Sequence, residues 1–324
     1  AARGKLFMSQ ISGTTEAITR TQRSFEHFFQ RPDAGHLNVD TTATSLFGHG
    51  GTFTLGKTGG KWVFETGGTW RSPELELNDI GFMRNADEIN HFLWTGYRWT
   101  KPFGIFRSLR VNYNHFARWD FGGNPLYRAV NFNFHAQFTD FSGMGGGMGH
   151  DNLEVSNNWL RGGPAYIKPN GIGGFFYYFT NSNANVNLNF NYNFGRGFRD
   201  AVNFNGYGVF LNVVPNNALR ISAGPNYSIF QRLDQYVTQV QVDNETRYIV
   251  SEVDQKTLSL TLRLNYNVTP DLTIQYYGQP FISRGRYKNF RRIIDPKAAA
   301  YFDRHELIGD EYISFNENEN RYYV

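Results

Sequence analysis

Alternation of polar and apolar residues at every second position runs through much of this sequence and constrains its fold most strongly. In residues 185–194, NVNLNFNYNF, asparagine occupies each odd position and an apolar or aromatic residue each even one. The segments 130–138, VNFNFHAQF, and 257–268, TLSLTLRLNYNV, repeat the pattern. Because successive side chains of a β-strand point to opposite faces, the pattern predicts strands with one apolar and one polar face.

Two all-β architectures accommodate such strands. A sandwich would bury the apolar faces between two sheets, whereas a membrane barrel would turn them to lipid and keep polar side chains inside. The alternating segments are longer than the roughly five or six residues of most sandwich strands. Five tryptophans are expected at strand ends, where a barrel places its aromatic girdles: Trp62, Trp70, Trp94, Trp99 and Trp119. We therefore predict an antiparallel transmembrane outer-membrane β-barrel of about fourteen strands.

Short and long connections alternate along the chain. Short turns are expected at 57–60, 101–104, 141–143, 181–184, 214–217 and 268–271, and variable loops at 14–46, 72–90, 121–125, 151–158, 195–200, 243–246 and 283–310. In outer-membrane barrels the short turns face the periplasm and the long loops face outward. Strands at about 217–242 and 247–268 are too long to end at the membrane, so a hairpin capped by DNET (243–246) should project outward.

The segment GTFTLGKT, residues 51–58, fits the pattern of a phosphate-binding loop. That loop requires a helix beginning at its lysine, here Lys57, because the helix N-terminus supplies much of the affinity for phosphate. Instead, KTGG leads into KWVFETGGTW, a second candidate strand. The better interpretation is a β-hairpin, and we expect no nucleotide partner.

Composition excludes several other functions. The chain has no cysteine, which excludes disulfides and thiolate chemistry. The net charge is +4 with basic residues scattered, so nucleic acid is not an expected partner. The longest strongly apolar run, GFFYYF at 174–179, is far shorter than the roughly 18 residues of a membrane-spanning helix. Without an H-E-x-x-H motif or a close histidine pair, we expect neither a metal site nor a cofactor.

Several long motifs resemble a family of outer-membrane proteins found widely in Bacteroidota and related Gram-negative phyla. The motifs are FQRPDAGHLNVDTTATSLFGHGG (29–51), WRSPELELNDIGFMRNADEI (70–89), YRWTKP (97–102), LRGGPA (160–165), QYVTQVQVD (235–243) and LNYNVTPDLTIQYYGQPFISRGRYKNF (264–290). Members typically join an N-terminal domain similar to family-nine carbohydrate-binding modules to a C-terminal β-barrel. The resemblance implies a location in the outer membrane of a Gram-negative bacterium. It transfers no catalytic residues, because the family has no established activity.

The resemblance also bears on domain organisation. Family members have a sugar-binding-like domain and early barrel strands before the part that matches Ala1, and further strands after the part that matches FNENENRYYV. We therefore expect residues 1–324 to be an outer-membrane barrel unit that is part of a larger barrel. A self-contained barrel is the alternative.

The long loops are where binding residues are expected, since loops on a rigid scaffold carry most binding sites. Aromatic and polar side chains there could hold a sugar. The candidate ligand-binding residues are Phe25, Phe28, Phe29, Arg31, Asp33, His36, Asp79, Asp87 and Glu88. Packing of the loops themselves is the alternative role for these residues. In the segment 288–312, a helix from about Pro296 to His305 is expected, with basic residues that could contact anionic lipopolysaccharide.

The polar faces of the strands should line a lumen. The predicted lumen-lining residues are Arg110, Asn131, Asn133, His135, Asn187, Asn189, Asn191, Arg263 and Asn265. His115 is expected on the same side as His135. In SGMGGGMGH (142–150), alternating glycines would allow close packing of whatever the lumen contains.

The predicted function is binding or passage of glycan-type ligands at the cell surface, and the glycan rests mainly on the sugar-binding-like companion domain that the resemblance implies. The expected partners are outer-membrane lipid and lipopolysaccharide, a glycan ligand, and other outer-membrane or surface proteins. The first alternative is a partner-binding platform with a plugged lumen. The second is a surface hydrolase that uses loop carboxylates, for which paired acids such as Asp87 and Glu88 would be required.

Overall fold

A computed structural model describes residues 1–308, 314–316 and 321–323. The strands are β1 Ala2–Ser12, β2 Ser45–Lys57, β3 Trp62–Arg71, β4 Glu88–Trp99, β5 Phe106–Trp119, β6 Pro125–Phe138, β7 Gly143–Ser156, β8 Tyr166–Ile167, β9 Gly171–Phe179, β10 Val186–Gly197, β11 Val202–Asn216, β12 Leu219–Val242, β13 Glu245–Thr269, β14 Leu272–Gly278, β15 Phe281–Ile293, β16 His305–Leu307, β17 Ser314–Asn316 and β18 Arg321–Tyr323. One α-helix, α1, spans Thr15–Gln22, and short 3-10 helices span Phe198–Asp200 and Tyr301–Arg304.

Sixteen strands form one antiparallel sheet, and β17 pairs with β18 in a separate ribbon. The sheet follows chain order from β1 to β16, with β8 attached to β7, and β14 beside β13. The prediction of an all-β antiparallel fold is confirmed. Within the described residues, hydrogen bonds do not join the two ends of this path, so the sheet is not closed into a barrel. No helix in the described part of the chain is long and apolar enough to cross a membrane.

The connections fall into two groups by the edge of the sheet at which they lie. The short turns are 58–61, 100–105, 139–142, 180–185, 217–218 and 270–271, and they share one edge, the short-turn edge. The other edge, the loop edge, carries 13–44, 72–87, 120–124, 157–170, 198–201, 243–244 and 294–304.

GTFTLGKT ends β2 and leads into a turn, which confirms the hairpin interpretation.

Four predictions at the loop edge are wrong. The proposed loops 151–158 and 195–200 begin too early, because β7 continues to Ser156 and β10 to Gly197. The proposed loop 283–310 contains β15, whose basic side chains obscure the alternation and pair with acids of β13, as Arg291 does with Glu252. The expected helix 296–305 is only a 3-10 turn, Tyr301–Arg304. Residues 309–312 of the segment 288–312 lie outside the described residues.

Helix α1 lies inside the predicted loop 14–46. Thr14 begins it as the N-cap, accepting a hydrogen bond from the backbone N–H of Ala17 at 3.3 Å, and Glu16 adds an acidic residue to the first turn. Ile18 and Gln22 form its buried side. A helix of two turns contains too few apolar repeats for the sequence alone to distinguish it from a loop.

The longest hairpin is as expected. Strands β12 and β13 pair from Leu219↔Tyr266 to Val242↔Glu245, and Asp243 and Asn244 form the tip with positive φ. Positive φ at both central residues is the requirement of a type I′ hairpin turn. Near the tip, Val250 of β13 packs with Leu160, Tyr166 and Ile293, so the 157–170 loop covers part of the hairpin.

The two faces of the sheet differ in chemistry, as the alternation predicts. Cross-strand pairs such as Leu188↔Leu211 and Tyr227↔Leu258 place apolar side chains on one face, where they are exposed. Four tryptophans lie at strand ends on this apolar face: Trp62 and Trp99 at the short-turn edge, and Trp70 and Trp119 at the loop edge. Trp94 differs, because it lies within β4 on the other face and donates to Asn112.

Candidate functional site

The loop edge contains a cavity of about 230 Å³ between the 13–44 and 72–87 loops and the adjoining ends of strands β4 to β7. Five of the nine predicted ligand-binding residues line it: Phe25, Phe28, Arg31, Asp87 and Glu88. The volume is below the roughly 300–1,000 Å³ of pockets for drug-sized ligands. The cavity therefore suits one small polar unit, such as a single residue of a polymer.

Asp87 connects three loops at the wall of this cavity. Its Oδ2 accepts a hydrogen bond from Nη2 of Arg31 at 2.8 Å, and its Oδ1 accepts one from the backbone N–H of Phe121 at 2.9 Å. Nε2 of His36 lies 2.9 Å and 3.0 Å from the two carboxylate oxygens. The backbone of Asp87 has a φ of 54°, in the left-handed region where non-glycine residues are uncommon. The convergence of these contacts holds it there.

Burial is the main influence on the protonation of Asp87. It raises the pKa of the carboxyl above its usual value, while the Phe121 N–H, His36 and Arg31 oppose the rise. Arg31 and Asp87 are both buried, with side-chain exposures of 3% and 4%. A buried ion pair of this kind is costly to break, because removing one partner leaves an uncompensated charge.

Glu88 is neutralised in a similar way. Its carboxylate oxygens lie 3.1 Å from Nη1 of Arg118 and 3.6 Å from Nη1 of Arg71. Asp87 and Glu88 thus each have an arginine partner. A glycoside hydrolase needs one carboxyl free to donate a proton and another free to attack or to activate water. The ion pairing favours a structural or ligand-orienting role for these two acids over a catalytic one.

His36, Asp87 and Asp120 bring three potential metal-ligating atoms within 4.8 Å of one another. The same oxygens already accept hydrogen bonds, since Arg31 donates to Asp87 and Asn124 donates through its backbone and side chain to Asp120. A cation at this position would have to displace those bonds. The guanidinium of Arg31 would also repel it.

The remaining predicted ligand-binding residues have different surroundings. Phe25 and Phe28 form an edge-to-face pair with centroids 5.5 Å apart, whereas Phe29 is buried with Ala34 and Leu37. Asp33 joins two other loops by accepting from the Ala165 N–H at 2.9 Å and lying 2.6 Å from Nζ of Lys297. Asp79 is exposed and makes no hydrogen bond or ion pair within the described ranges. Ligand binding by the nine residues stays a prediction.

The strand register places all nine predicted lumen-lining residues on one face, here called the amide face. Across neighbouring strands, His135 lies opposite Arg110 and Gly145, and the row continues through Tyr177 to Asn191. The remaining predicted lumen-lining residues are assigned to the same face by alternation along each strand and by cross-strand pairs such as Asn265↔Arg220. His115 is the exception to our expectation, because its odd position puts it opposite Leu93 and Val130 on the apolar face.

Side-chain amides on this face bond to one another. Nδ2 of Asn112 donates to Oδ1 of Asn133 at 2.6 Å, and Nδ2 of Asn114 donates to Oδ1 of Asn131 at 3.1 Å. Asn212 donates to Asn187 at 3.0 Å farther along the sheet. Arg263 lies over the ring of Tyr277, 5.2 Å from its centroid. The amide face thus presents many hydrogen-bonding groups in fixed positions.

A second buried cluster was missed by the sequence analysis. Asp234 of β12 is fully buried, and its Oδ2 accepts from the hydroxyl of Tyr166 at 3.0 Å. Arg232 lies 3.7 Å from Oδ1 of Asp234 and stacks over Trp159. A signal was present, since Asp234 is a lone acid among residues of an otherwise alternating strand. We call Asp234 with Arg232, Ser251, Tyr301 and His305 the Asp234 cluster, and Asp87 with Arg31, His36 and Asp120 the Asp87 cluster.

Comparison with protein families gives one match. The family model described as "Domain of unknown function (DUF5916)" covers residues 4–319. Searches of curated proteins and of solved structures found no match. The family match extends over nearly the whole chain, and its description tests neither a membrane location nor a sugar ligand.

Proposed function

Because this chain belongs to the DUF5916 family, whose description names no activity, we propose its function from geometry: it is an outer-membrane β-barrel protein that binds glycan-type ligands at the cell surface. The antiparallel sheet forms the major part of the barrel. Its apolar face contacts lipid, and its amide face lines the interior. The short-turn edge lies in the periplasm, and the loop edge lies outside the cell.

The observation that carries this proposal is the exposed apolar face. Leu188, Leu211, Leu258 and Ile274 are each at least one-third exposed, and the face extends over successive strands. An apolar surface of this extent in water would drive association, whereas lipid solvates it. Tryptophans at both edges of the face fit the interfacial girdles of outer-membrane barrels.

The ligand class is supported by the cavity and the amide face. Sugars need apolar surface for their C–H faces and hydrogen-bonding groups for their hydroxyls. The cavity offers Phe25 and Phe28 beside Arg31, and the amide face offers arrays of asparagine. In the proposed mechanism, loop residues capture a glycan segment and the amide face guides it inward.

Location and orientation are tested by surface proteolysis of intact cells. At roughly 3.3 Å per residue, the 24 residues of β12 extend far beyond the apolar band of about 25 Å that a barrel presents to lipid. The tip at 243–246 should therefore be cleaved rapidly by an added protease. The 217–218 turn should resist until the cells are permeabilised. Protection of the tip in intact cells, or equal cleavage of both sites, would contradict the proposed topology.

Ligand binding is tested by titrating the purified, detergent-solubilised protein with hexasaccharides. Neutral malto- and cellohexaose and an acidic hexagalacturonate cover three chemistries. Phe25 is about half-exposed and lines the cavity, so Phe25→Ala should weaken binding without unfolding the protein. Ile80→Ala is the matched control, since Ile80 is more exposed and does not line this cavity. Failure to bind any of the three sugars would count against the glycan proposal.

A partner-binding platform is a second candidate, favoured by the contacts among the outer loops. Asp33 ties the 13–44 loop to the 157–170 and 294–304 loops, and Asn158 donates to Asn85 of the 72–87 loop at 3.1 Å. Loops locked together in this way suit docking of a protein. Channel recordings in planar bilayers distinguish the two, because conductance that the sugars reduce supports passage and a silent, sugar-insensitive protein supports the platform.

A further inference from the structure

Strand β7 has a stripe of glycines on the amide face. Gly143, Gly145, Gly147 and Gly149 alternate there, so this strand contributes no side chain over that stretch. Side chains of the neighbouring strands fill the space instead. A Cβ at Gly145 would lie 2.5 Å from Cζ of Tyr177, and one at Gly147 would lie 2.6 Å from Cβ of Asn133 and 2.9 Å from Cε1 of Phe175.

Three aromatic rings of β9 lean over this stripe. Phe175 and Tyr177 have ring centroids 6.4 Å apart and planes only 3° apart, and Tyr177 and Phe179 follow at 6.2 Å and 13°. His135 continues the array from β6, with its ring 5.9 Å from that of Tyr177 and inclined by 28°. All four rings are partly exposed. We call Phe175, Tyr177, Phe179 and His135 the aromatic shelf.

Hydrogen-bonding groups border the rings. Nδ1 of His135 lies 2.7 Å from the hydroxyl of Tyr177, and its Nε2 lies 3.1 Å from Oδ1 of Asn133. Nδ2 of Asn133 donates to Oδ1 of Asn131 at 2.6 Å. Amides, imidazole and phenol can donate and accept, so they can satisfy hydroxyl groups in either sense. The shelf and its border contain no carboxylate.

We propose that the aromatic shelf is a binding subsite for neutral pyranose units, an inference that rests on the proposed glycan-binding function and names its interior site. The apolar C–H face of a pyranose stacks on a flat aromatic ring, and its equatorial hydroxyls reach polar groups beside the ring. Nearly parallel rings along one strand offer consecutive positions for such stacking. The glycines of β7 are required because any side chain there would lift the rings out of place.

The test measures binding of maltohexaose and cellohexaose to the detergent-solubilised protein by calorimetry. The double variant Phe175→Leu, Tyr177→Leu keeps apolar side chains over the glycines but removes two stacking surfaces. Each aromatic contact contributes modestly, so affinity should fall roughly tenfold. Phe176→Leu is the matched control, because Phe176 lies in the same strand on the apolar face. Its affinity should equal that of the wild-type protein.

A third variant covers the case in which the double variant does not fold. Asn133→Ala leaves the rings in place and removes a bordering amide, and it should also weaken binding of the neutral sugars severalfold. Unchanged affinity in the folded shelf variants overturns the shelf proposal and leaves glycan binding elsewhere intact. If the protein binds hexagalacturonate but neither neutral sugar, the shelf proposal is likewise overturned and glycan binding elsewhere in the protein is left intact. Binding of none of the three sugars overturns the shelf and the proposed ligand class together.

Discussion

Two buried aspartates at the loop edge have opposite surroundings. Asp87 has both oxygens hydrogen-bonded, by groups from segments up to 56 residues away in the chain. Asp234 has one oxygen bonded to Tyr166, and the other lacks a hydrogen-bond partner in the described structure. Both are buried, yet the protein satisfies one fully and the other only in part.

The difference extends to the residues around each aspartate. In the Asp234 cluster, Ser251 Oγ, Tyr301 OH and His305 Nε2 are also buried without a hydrogen-bond partner among the described residues. Polar groups left unpaired in this way cost free energy, whereas paired ones stabilise. The comparison indicates that the Asp87 cluster stabilises the loops of the loop edge, whereas the unpaired groups of the Asp234 cluster reduce the stability of the β12–β13 hairpin.

The largest effect is expected from breaking the Asp87 cluster. Arg31→Met leaves the buried Asp87 with His36 and the Phe121 N–H but without its arginine, and should lower the free energy of local unfolding by about 3–5 kcal/mol. Hydrogen–deuterium exchange of the 72–87 loop measures it. The double variant Arg31→Met, Asp87→Asn removes both charges, keeps an acceptor for the Phe121 N–H and a residue type that tolerates the positive φ, and should recover much of the loss. A small effect of the single variant would show that the ion pair does not hold the loops.

A smaller loss is expected at the Asp234 cluster. Tyr166→Phe removes the one hydrogen bond that the Asp234 carboxylate accepts among the described residues, and it should cost about 1–3 kcal/mol. Hydrogen–deuterium exchange of β8 and of the part of β12 around Asp234 measures this loss. Tyr236→Phe is the control, because Tyr236 packs against the same apolar cluster and its hydroxyl makes no hydrogen bond in the described residues. Equal losses in the two variants would exclude a specific role for the Tyr166 bond.

Lowering the pH should change the local stability of the two clusters in opposite directions. Burial, with Arg291 nearby, lowers the pKa of His305, so its contribution to stability is present above about pH 6.5 and is lost as pH falls through the lowered pKa. The raised pKa of Asp87 has the opposite sign, since its contribution is fullest below pH 3.8 and is lost as pH rises. Between pH 7.5 and pH 5, protection factors, which correct for the pH dependence of intrinsic amide exchange, should fall around 301–305 but not around 84–88. His305→Gln should abolish this fall.

The smallest effect concerns two buried serines. Ser251→Ala removes a buried hydroxyl without a partner among the described residues, so it should leave stability unchanged or raise it by up to about 1 kcal/mol. Ser72, beside the Asp87 cluster, accepts from the His49 N–H at 2.9 Å, and Ser72→Ala should cost about 1 kcal/mol or more. Thermal unfolding of the two variants gives the comparison. A larger loss from Ser251→Ala would mean that its hydroxyl is satisfied in solution.

The fold was predictable because its main signal is local. Alternation in segments such as 185–194 identifies strands and assigns each side chain to a face, and the short turns separate neighbours that pair. Alternation does not identify the structure where other interactions determine it. In β15, pairing of Arg291 with Glu252 replaces apolar alternation, and in α1 a helix of eight residues is too short to produce a period. His115 shows that an error of one position reverses the face.

The candidate site was predictable only in part. Conspicuous charged and aromatic residues in the loops drew attention to Phe25, Arg31 and Asp87, which line one cavity. Which partner each would take was not predictable, because Arg31 and Asp87 meet across 56 residues through loop conformations that no local pattern specifies. Tyr166 and Asp234 were missed for the same reason. The aromatic shelf becomes visible only when the register sets Tyr177 beside Gly145.

The order of the strands has a consequence for the folding pathway. Long strands pair with the next long strand in the chain, so most pairings close loops much shorter than the 13–44 segment between β1 and β2, and these more local contacts form first. The contacts among the loops of the loop edge join distant residues, as Asp33 does with Ala165 across 132 residues and Arg304 with Ile167 across 137. We expect refolding to show a fast phase for the sheet and a slow one for these contacts. The loop edge, where we propose that a ligand binds, would then be the last part of the sheet to become ordered and the first to open.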